Sequence, residues 1–94
     1  MEHAEPPLLR LYTTTRCGYC VLLKRYLDYR SIPYDEVDID HDHAAAARLE
    51  RWTGGYRIVP TAVIGDRVLV NPKGSEVEGA LREAGTLPAE QVPG

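Results

Sequence analysis

Apolar residues fall along this chain in short blocks whose spacing changes from one block to the next. Residues 8–13, rich in Leu and Tyr, predict a buried strand. Over residues 18–30, Leu23, Tyr26 and Leu27 recur at helical spacing, supported by Val21, Leu22 and Tyr29, and predict an amphipathic helix. Ser31-Ile32-Pro33 closes it, because proline disfavours helical geometry at the residue before it. Residues 34–39 alternate, with Val37 and Ile39 on one face, and predict a second strand.

Asp40-His41-Asp42 then offers an N-cap and acidic charge to a helix over residues 43–52. That helix puts Ala45, Leu49 and Trp52 on one stripe, and Gly54-Gly55 ends it. Residues 61–64 and 67–70 read as short strands joined through Gly65-Asp66, a two-residue hairpin turn with glycine first. Asn71-Pro72 breaks the second of them. A last amphipathic helix is predicted over residues 75–84, carrying Val77, Ala80 and Leu81. The tail from Leu87 holds two prolines and is expected to fray.

The order β-α-β-α-β-β-α predicts an α/β fold, a mixed four-stranded sheet flanked by helices. Strands separated by helices are expected to pair in parallel through right-handed crossovers, and the late hairpin to add antiparallel strands. Ninety-four residues make a single domain, 1–94, with its core between about residues 8 and 85.

Composition narrows the function classes. A hydrophobic content of 44% with 27% charged residues is that of a globular protein that builds its core without disulfide staples. The net charge of −3 gives no broad basic footprint for nucleic acid. The acidic, proline-broken start, Met1-Glu2-His3-Ala4-Glu5-Pro6-Pro7, is unlike a signal peptide, and no apolar run approaches a membrane span. A cytoplasmic protein is expected, in a compartment where a Cys-x-x-Cys pair is more often catalytic or metal-binding than structural.

Such a pair is present: Cys17-Gly18-Tyr19-Cys20, at the predicted start of the first helix. Unpaired backbone N–H groups and the positive end of the helix dipole favour the thiolate of a cysteine placed there. Residues three apart share a helix face, so the two thiols can close an intramolecular disulfide. Lowering a thiol pKa from about 8.5 to about 5 raises the ionised fraction at pH 7 roughly thirtyfold. The accompanying loss of nucleophilicity, with a Brønsted slope of about 0.4–0.5, is of similar size. The net gain is therefore in leaving-group ability, which speeds release of a mixed disulfide. Cys17 lies at the extreme helix start, whereas Cys20, one turn in, is expected to be more buried.

Thr15-Arg16-Cys17-Gly18-Tyr19-Cys20, followed by Tyr34-Asp35-Glu36-Val37-Asp38-Ile39, Gly54-Gly55, Ile58-Val59-Pro60-Thr61 and Asn71-Pro72, resembles the thioredoxin-fold glutaredoxins. Within them the chain is most similar to the mycoredoxins of actinobacteria, over about residues 8–85. The resemblance implies Cys17 as nucleophile and Cys20 as resolving thiol. It also implies a cis peptide bond at Val59-Pro60, facing the cysteines, with residue 59 offering its backbone N–H and C=O to an extended substrate. Tyr19 is expected to flank that substrate, and Arg57 to engage a substrate carboxylate. Arg16 either adds positive charge beside Cys17 or is simply solvated. Lys24, two turns along, reads as a surface residue, and His3, His41 and His43 are poor functional candidates.

The implied activity is reduction of mixed disulfides between proteins and a low-molecular-weight thiol, with no bound cofactor. Cys17 takes the small thiol onto itself and releases the reduced protein; a second small thiol, or Cys20, then frees Cys17. Where glutathione-using relatives carry a Gly-Gly-x-Asp-like stretch, this chain has Val70-Asn71-Pro72-Lys73-Gly74-Ser75. That difference favours mycothiol or bacillithiol over glutathione as co-substrate. Disulfide-containing or S-thiolated proteins are the expected partners, and a monomer the expected state, with no nucleic acid and no membrane. Two other readings stand beside this one. The first is a dithiol electron donor of the ribonucleotide-reductase type, recharged by thioredoxin reductase. The second is an iron–sulfur or metal-binding module, although two cysteines plus His41-x-His43 do not match common zinc spacings.

Overall fold

A computed structural model describes residues 8–85 of the chain. The elements are β1 (Leu9–Thr13), α1 (Gly18–Tyr29), β2 (Asp35–Asp38), α2 (His43–Thr53), β3 (Thr61–Ile64), β4 (Arg67–Val70) and α3 (Gly74–Glu83). The expected tails lie outside the described residues. The strands form one sheet in the order β2-β1-β3-β4. β1 and β2 are parallel, as a helical crossover requires, and β3–β4 is the expected antiparallel hairpin. The expectation for β3 needs correction: although α2 separates it from β2, it does not pair with β2. It crosses to the other side of β1 and runs antiparallel there, with Leu9 opposite Ile64 and Tyr12 opposite Thr61.

Central placement explains why β1 buries side chains on both faces, with Arg10 alone exposed. Its odd positions, Leu9 and Leu11, join Leu23 and Leu27 of α1, Ala62 and Ile64 of β3, and Val77, Ala80 and Leu81 of α3 in the larger core. Tyr12, of opposite parity, enters a second core with Ile39, Ala45, Ala46 and Leu49 against α2. Two helices therefore cover one face and one covers the other. Trp52 completes the α2 stripe differently from a core residue. It remains 39% exposed and stands edge-on to the Tyr12 ring, centroids 5.4 Å apart.

Helix ends follow local chemistry. Asp42 caps α2 by accepting the Ala45 N–H at 3.0 Å, and Gly54 ends it in the left-handed region at φ 80°. α1 stops before Pro33 acts. Ser31 adopts φ 57°, and the Ile32 N–H turns back to the Leu27 carbonyl at 2.8 Å. At α3, Glu76 Oε1 accepts the Lys73 N–H at 2.7 Å and places a carboxylate in the first turn.

Candidate active site

The sheet directions bring four loops to one end of the molecule. β2 and β4 both run parallel to β1, β2 as its direct neighbour and β4 through two antiparallel steps. All three strands therefore deliver the chain into a helix at the same end: 14–17 into α1, 39–42 into α2, and 71–73 into α3. β3 starts at that end, so residues 58–60 join them. Three helix N-termini, each the positive end of its dipole, share the end that holds the cysteines.

Cys17 is the N-cap of α1. Its backbone is extended (φ −130°, ψ 106°), and its sulfur accepts the Cys20 backbone N–H at 3.0 Å. A cap position normally holds an oxygen acceptor; here sulfur fills it. Cys17 and Cys20 form a disulfide, with Cα atoms 5.1 Å apart. Cys17 is half-buried and Cys20 is 1% exposed, the asymmetry expected from one being outside the helix and one inside its first turn.

The loop before Cys17 is tied to the β2–α2 corner. The Thr15 N–H donates to Asp40 Oδ2 at 3.0 Å, and the Thr15 hydroxyl to Asp38 Oδ2 at 3.3 Å. His41 Nδ1 lies 2.9 Å from the same Asp38 oxygen and, with the Asp40 N–H, holds the Asp38 carboxyl below its ordinary range. Sequence reasoning missed this tether. Its only linear trace is the alternation of Asp and His over residues 38–43.

Lys24 is more than a surface residue. Its ammonium meets Glu36 Oε2 at 2.9 Å, and the buried Thr13 hydroxyl donates to the same oxygen at 2.8 Å. Partial burial pushes the Glu36 carboxyl up, but these two bonds outweigh it and hold it low. The first turns of α1 are thereby pinned to the sheet beside the cysteines.

Val59-Pro60 is cis. Pro60 is buried, its carbonyl accepting the Asn71 N–H at 2.8 Å, and the Thr61 hydroxyl closes the loop onto the Ile58 carbonyl at 2.7 Å. Val59 is half-buried, and its backbone N–H and C=O make no hydrogen bond among the described residues. Arg57, in the same loop, is engaged through Nε by Glu50 Oε2 at 2.6 Å. Arg16 is exposed and unpaired among the described residues, and Tyr19 is 70% exposed. The structure thus gathers the two cysteines, Arg16, Tyr19, Val59 and Pro60 at one end, and spends part of Arg57 on α2.

A mixed four-stranded sheet with a Cys-x-x-Cys capping its first helix and a cis-proline at the same end defines a thioredoxin-like redox protein. The chain belongs to the glutaredoxin family, whose sequence model matches residues 9–69, and shares its thiol–disulfide oxidoreductase activity. A Mycobacterium tuberculosis (strain H37Rv) protein that carries the glutaredoxin name is 47% identical over 74 residues, covering 78% of this chain and 88% of that one. Among solved structures, a thioredoxin-like protein superposes with TM-score 0.66 at 30% identity, over 76% of this chain and 96% of that one. A buckwheat glutaredoxin in complex with glutathione gives TM-score 0.58 at 29% identity, over 84% and 71%. Glutaredoxins act on protein disulfides with glutathione-type thiols as co-substrates. No helix among the described residues is long and apolar enough to cross a membrane.

Proposed function

We propose that this glutaredoxin works as a mycoredoxin, reducing S-thiolated proteins in the cytoplasm with mycothiol or a similar non-glutathione thiol. Cys17 is the nucleophile. Its thiolate attacks the small thiol's sulfur in a protein mixed disulfide, forming a Cys17–small-thiol disulfide and expelling the protein thiolate. A second small-thiol anion then attacks that adduct, leaving the symmetrical small disulfide and a free Cys17 thiolate. Alternatively Cys20 displaces the small thiol and closes Cys17–Cys20. Val59, whose backbone N–H and C=O make no hydrogen bond among the described residues, pairs with the extended substrate, Pro60 fixes that platform, and Tyr19 and Arg16 flank it. Arg57 serves a substrate carboxylate while shared with Glu50.

One observation carries the assignment of Cys17: its sulfur is the helix-capping acceptor and half-buried, while Cys20 beneath it is 1% exposed. The choice of thiol is supported by the stretch from Val70 to Ser75, which lacks the family's Gly-Gly-x-Asp-like pattern. The test is turnover of an S-mycothiolated protein, with glutathione and mycothiol compared as reductants. Mycothiol should support turnover and glutathione should not; equal rates would overturn the choice. Cys17→Ser should abolish turnover.

The closed Cys17–Cys20 disulfide favours one second reading, a dithiol donor recharged by thioredoxin reductase. In that case Cys20→Ser is inactive, whereas the one-cysteine route keeps it active.

A further inference from the structure

The two edges of the sheet are built differently. β2, at one edge, carries Asp35, Glu36 and Asp38, and acids at this density keep a further strand away. β4, at the other edge, reads Arg67-Val68-Leu69-Val70, and its one charge is matched by Glu83. No strand among the described residues pairs with its outer side.

The register decides which groups that edge presents. Gly65-Asp66 is a two-residue turn, so the pair flanking it, Ile64 and Arg67, is hydrogen-bonded, and bonded pairs recur at every second residue. Leu69 therefore bonds Ala62, and the series closes where the Asn71 N–H meets the Pro60 carbonyl at 2.8 Å. Val68 and Val70 fall between these positions and turn their N–H and C=O groups outward.

The α3 side of this edge has room for a neighbour. Between β4 and α3 lies a groove of about 470 Å³, walled by Leu69, Gly79 and Ala80. A Cβ on Gly79 would meet nothing within 4 Å, so the helix wall is open there. α3 runs back along β4, which sets Arg67 beside Glu83 at one end of the groove and Glu76 at the other. Glu76 accepts the neutral Lys73 N–H, keeps its charge, and makes no ion pair among the described residues. Arg67 meets Glu83 through Nη1 and makes no other ion pair among them.

We propose that β4 is a self-association edge, at which two copies pair antiparallel about a two-fold axis through Leu69 and join their sheets. Only this register sets both outward residues of one copy against both of the other, Val68 opposite Val70 on each side of the axis. The valines then cluster on one face, and Leu69 lies beside the partner copy's Leu69 on the other. Arg67 of each copy reaches the Glu76 end of the other groove and bridges its own Glu83 to that carboxylate. Asp66 and Lys73 border the same junction with opposite charge and offset one another. A partner of unlike sequence would need a leucine with an arginine two residues before it, the spacing that β4 itself supplies. The axis stands perpendicular to the sheet, so the two dithiol ends point in opposite directions and both stay open.

The test is sedimentation equilibrium of the reduced full chain from about 10 μM to about 1 mM, because an interface this small belongs at the weak end of specific pairs. The mean mass should climb from one chain toward two. Val68→Pro removes an outward N–H that β3 does not use, and should weaken association at least about tenfold. Arg67→Glu and Glu76→Arg should each weaken it about tenfold, and the doubly swapped chain should recover to within about threefold of wild type. Amide exchange should slow with concentration at Val68 and Val70 and stay constant along β2. Turnover of hydroxyethyl disulfide per chain should be unchanged in every variant, which also shows that each one folds. If Val68→Pro does not fold, the charge swaps and the amide exchange decide. A chain that stays monomeric to about 1 mM would overturn the proposal. So would a dimer that a folded Val68→Pro leaves intact, protection appearing along β2 instead, or a double swap that fails to recover.

Discussion

The backbone N–H of Cys20 points at the sulfur of Cys17 across 3.0 Å, so one cysteine's main chain supports the other's side chain. Oxidised, the contact caps α1; reduced, the same N–H faces a thiolate, which accepts more strongly. Cys17 should therefore ionise below the ordinary thiol range, as followed by thiolate ultraviolet absorbance against pH. Structure and chemistry also separate by mutation. Under reducing conditions Cys17→Ser should keep an acceptor and most of the stability while losing activity. Cys17→Ala should lose activity and about 1 kcal/mol more of unfolding free energy in urea.

Glu78 joins α1 to α3 through Tyr26, Arg30 and Arg82, the last at 3.6 Å. The Tyr26 hydrogen bond, and then the Arg30 pair, hold its carboxyl below the ordinary value despite opposing burial. The unfolded glutamate titrates near about 4.3, so this contribution is complete above that pH and is lost as pH falls toward the lower folded value. Glu78→Gln should cost about 1–3 kcal/mol at neutral pH and flatten the decline of stability between about pH 5 and the folded pKa. Urea midpoints measured across that window check both.

Gly74 should resist replacement by even the smallest side chain. Alanine is ordinarily the better helix former by about 0.5–1 kcal/mol. Here the Tyr26 ring occupies the space of the new methyl, so Gly74→Ala should destabilise by about 1–3 kcal/mol. In a Tyr26→Ala background the same change should become neutral or stabilising, which a double-mutant cycle measures.

Ser31 sits at φ 57° without a glycine's freedom. Ser31→Gly should raise stability by about 0.5–1 kcal/mol, because relief of the left-handed backbone exceeds the entropy glycine adds to the unfolded chain. A thermal melt should shift upward with activity unchanged.

Much of this was legible in the linear pattern because it depends on neighbours within a turn or two. Asp42 and Gly54 bound α2 through contacts three and four residues away, and Cys17 and Cys20 lie within one helical turn. The residues that end α1 are legible, but the cause differs: Ser31 turns the chain before proline is reached. Lys24 read as surface because its partner Glu36 belongs to another element, and Glu78 escaped notice because charge ordinarily marks an exposed position. Thr15 gave no sign of being held by Asp38 and Asp40, some two dozen residues downstream.

The sequence by itself determined the elements, both caps of α2, the dithiol at a helix start and the family, since periodicity and capping are short-range and additive. Only the tertiary structure decided that β3 would run antiparallel along β1. With it came the gathering of three helix N-termini, the Val59–Pro60 loop and the cysteines at one end. Strand direction is settled by which apolar faces can be buried together, a cooperative property of the whole sheet that no single segment carries.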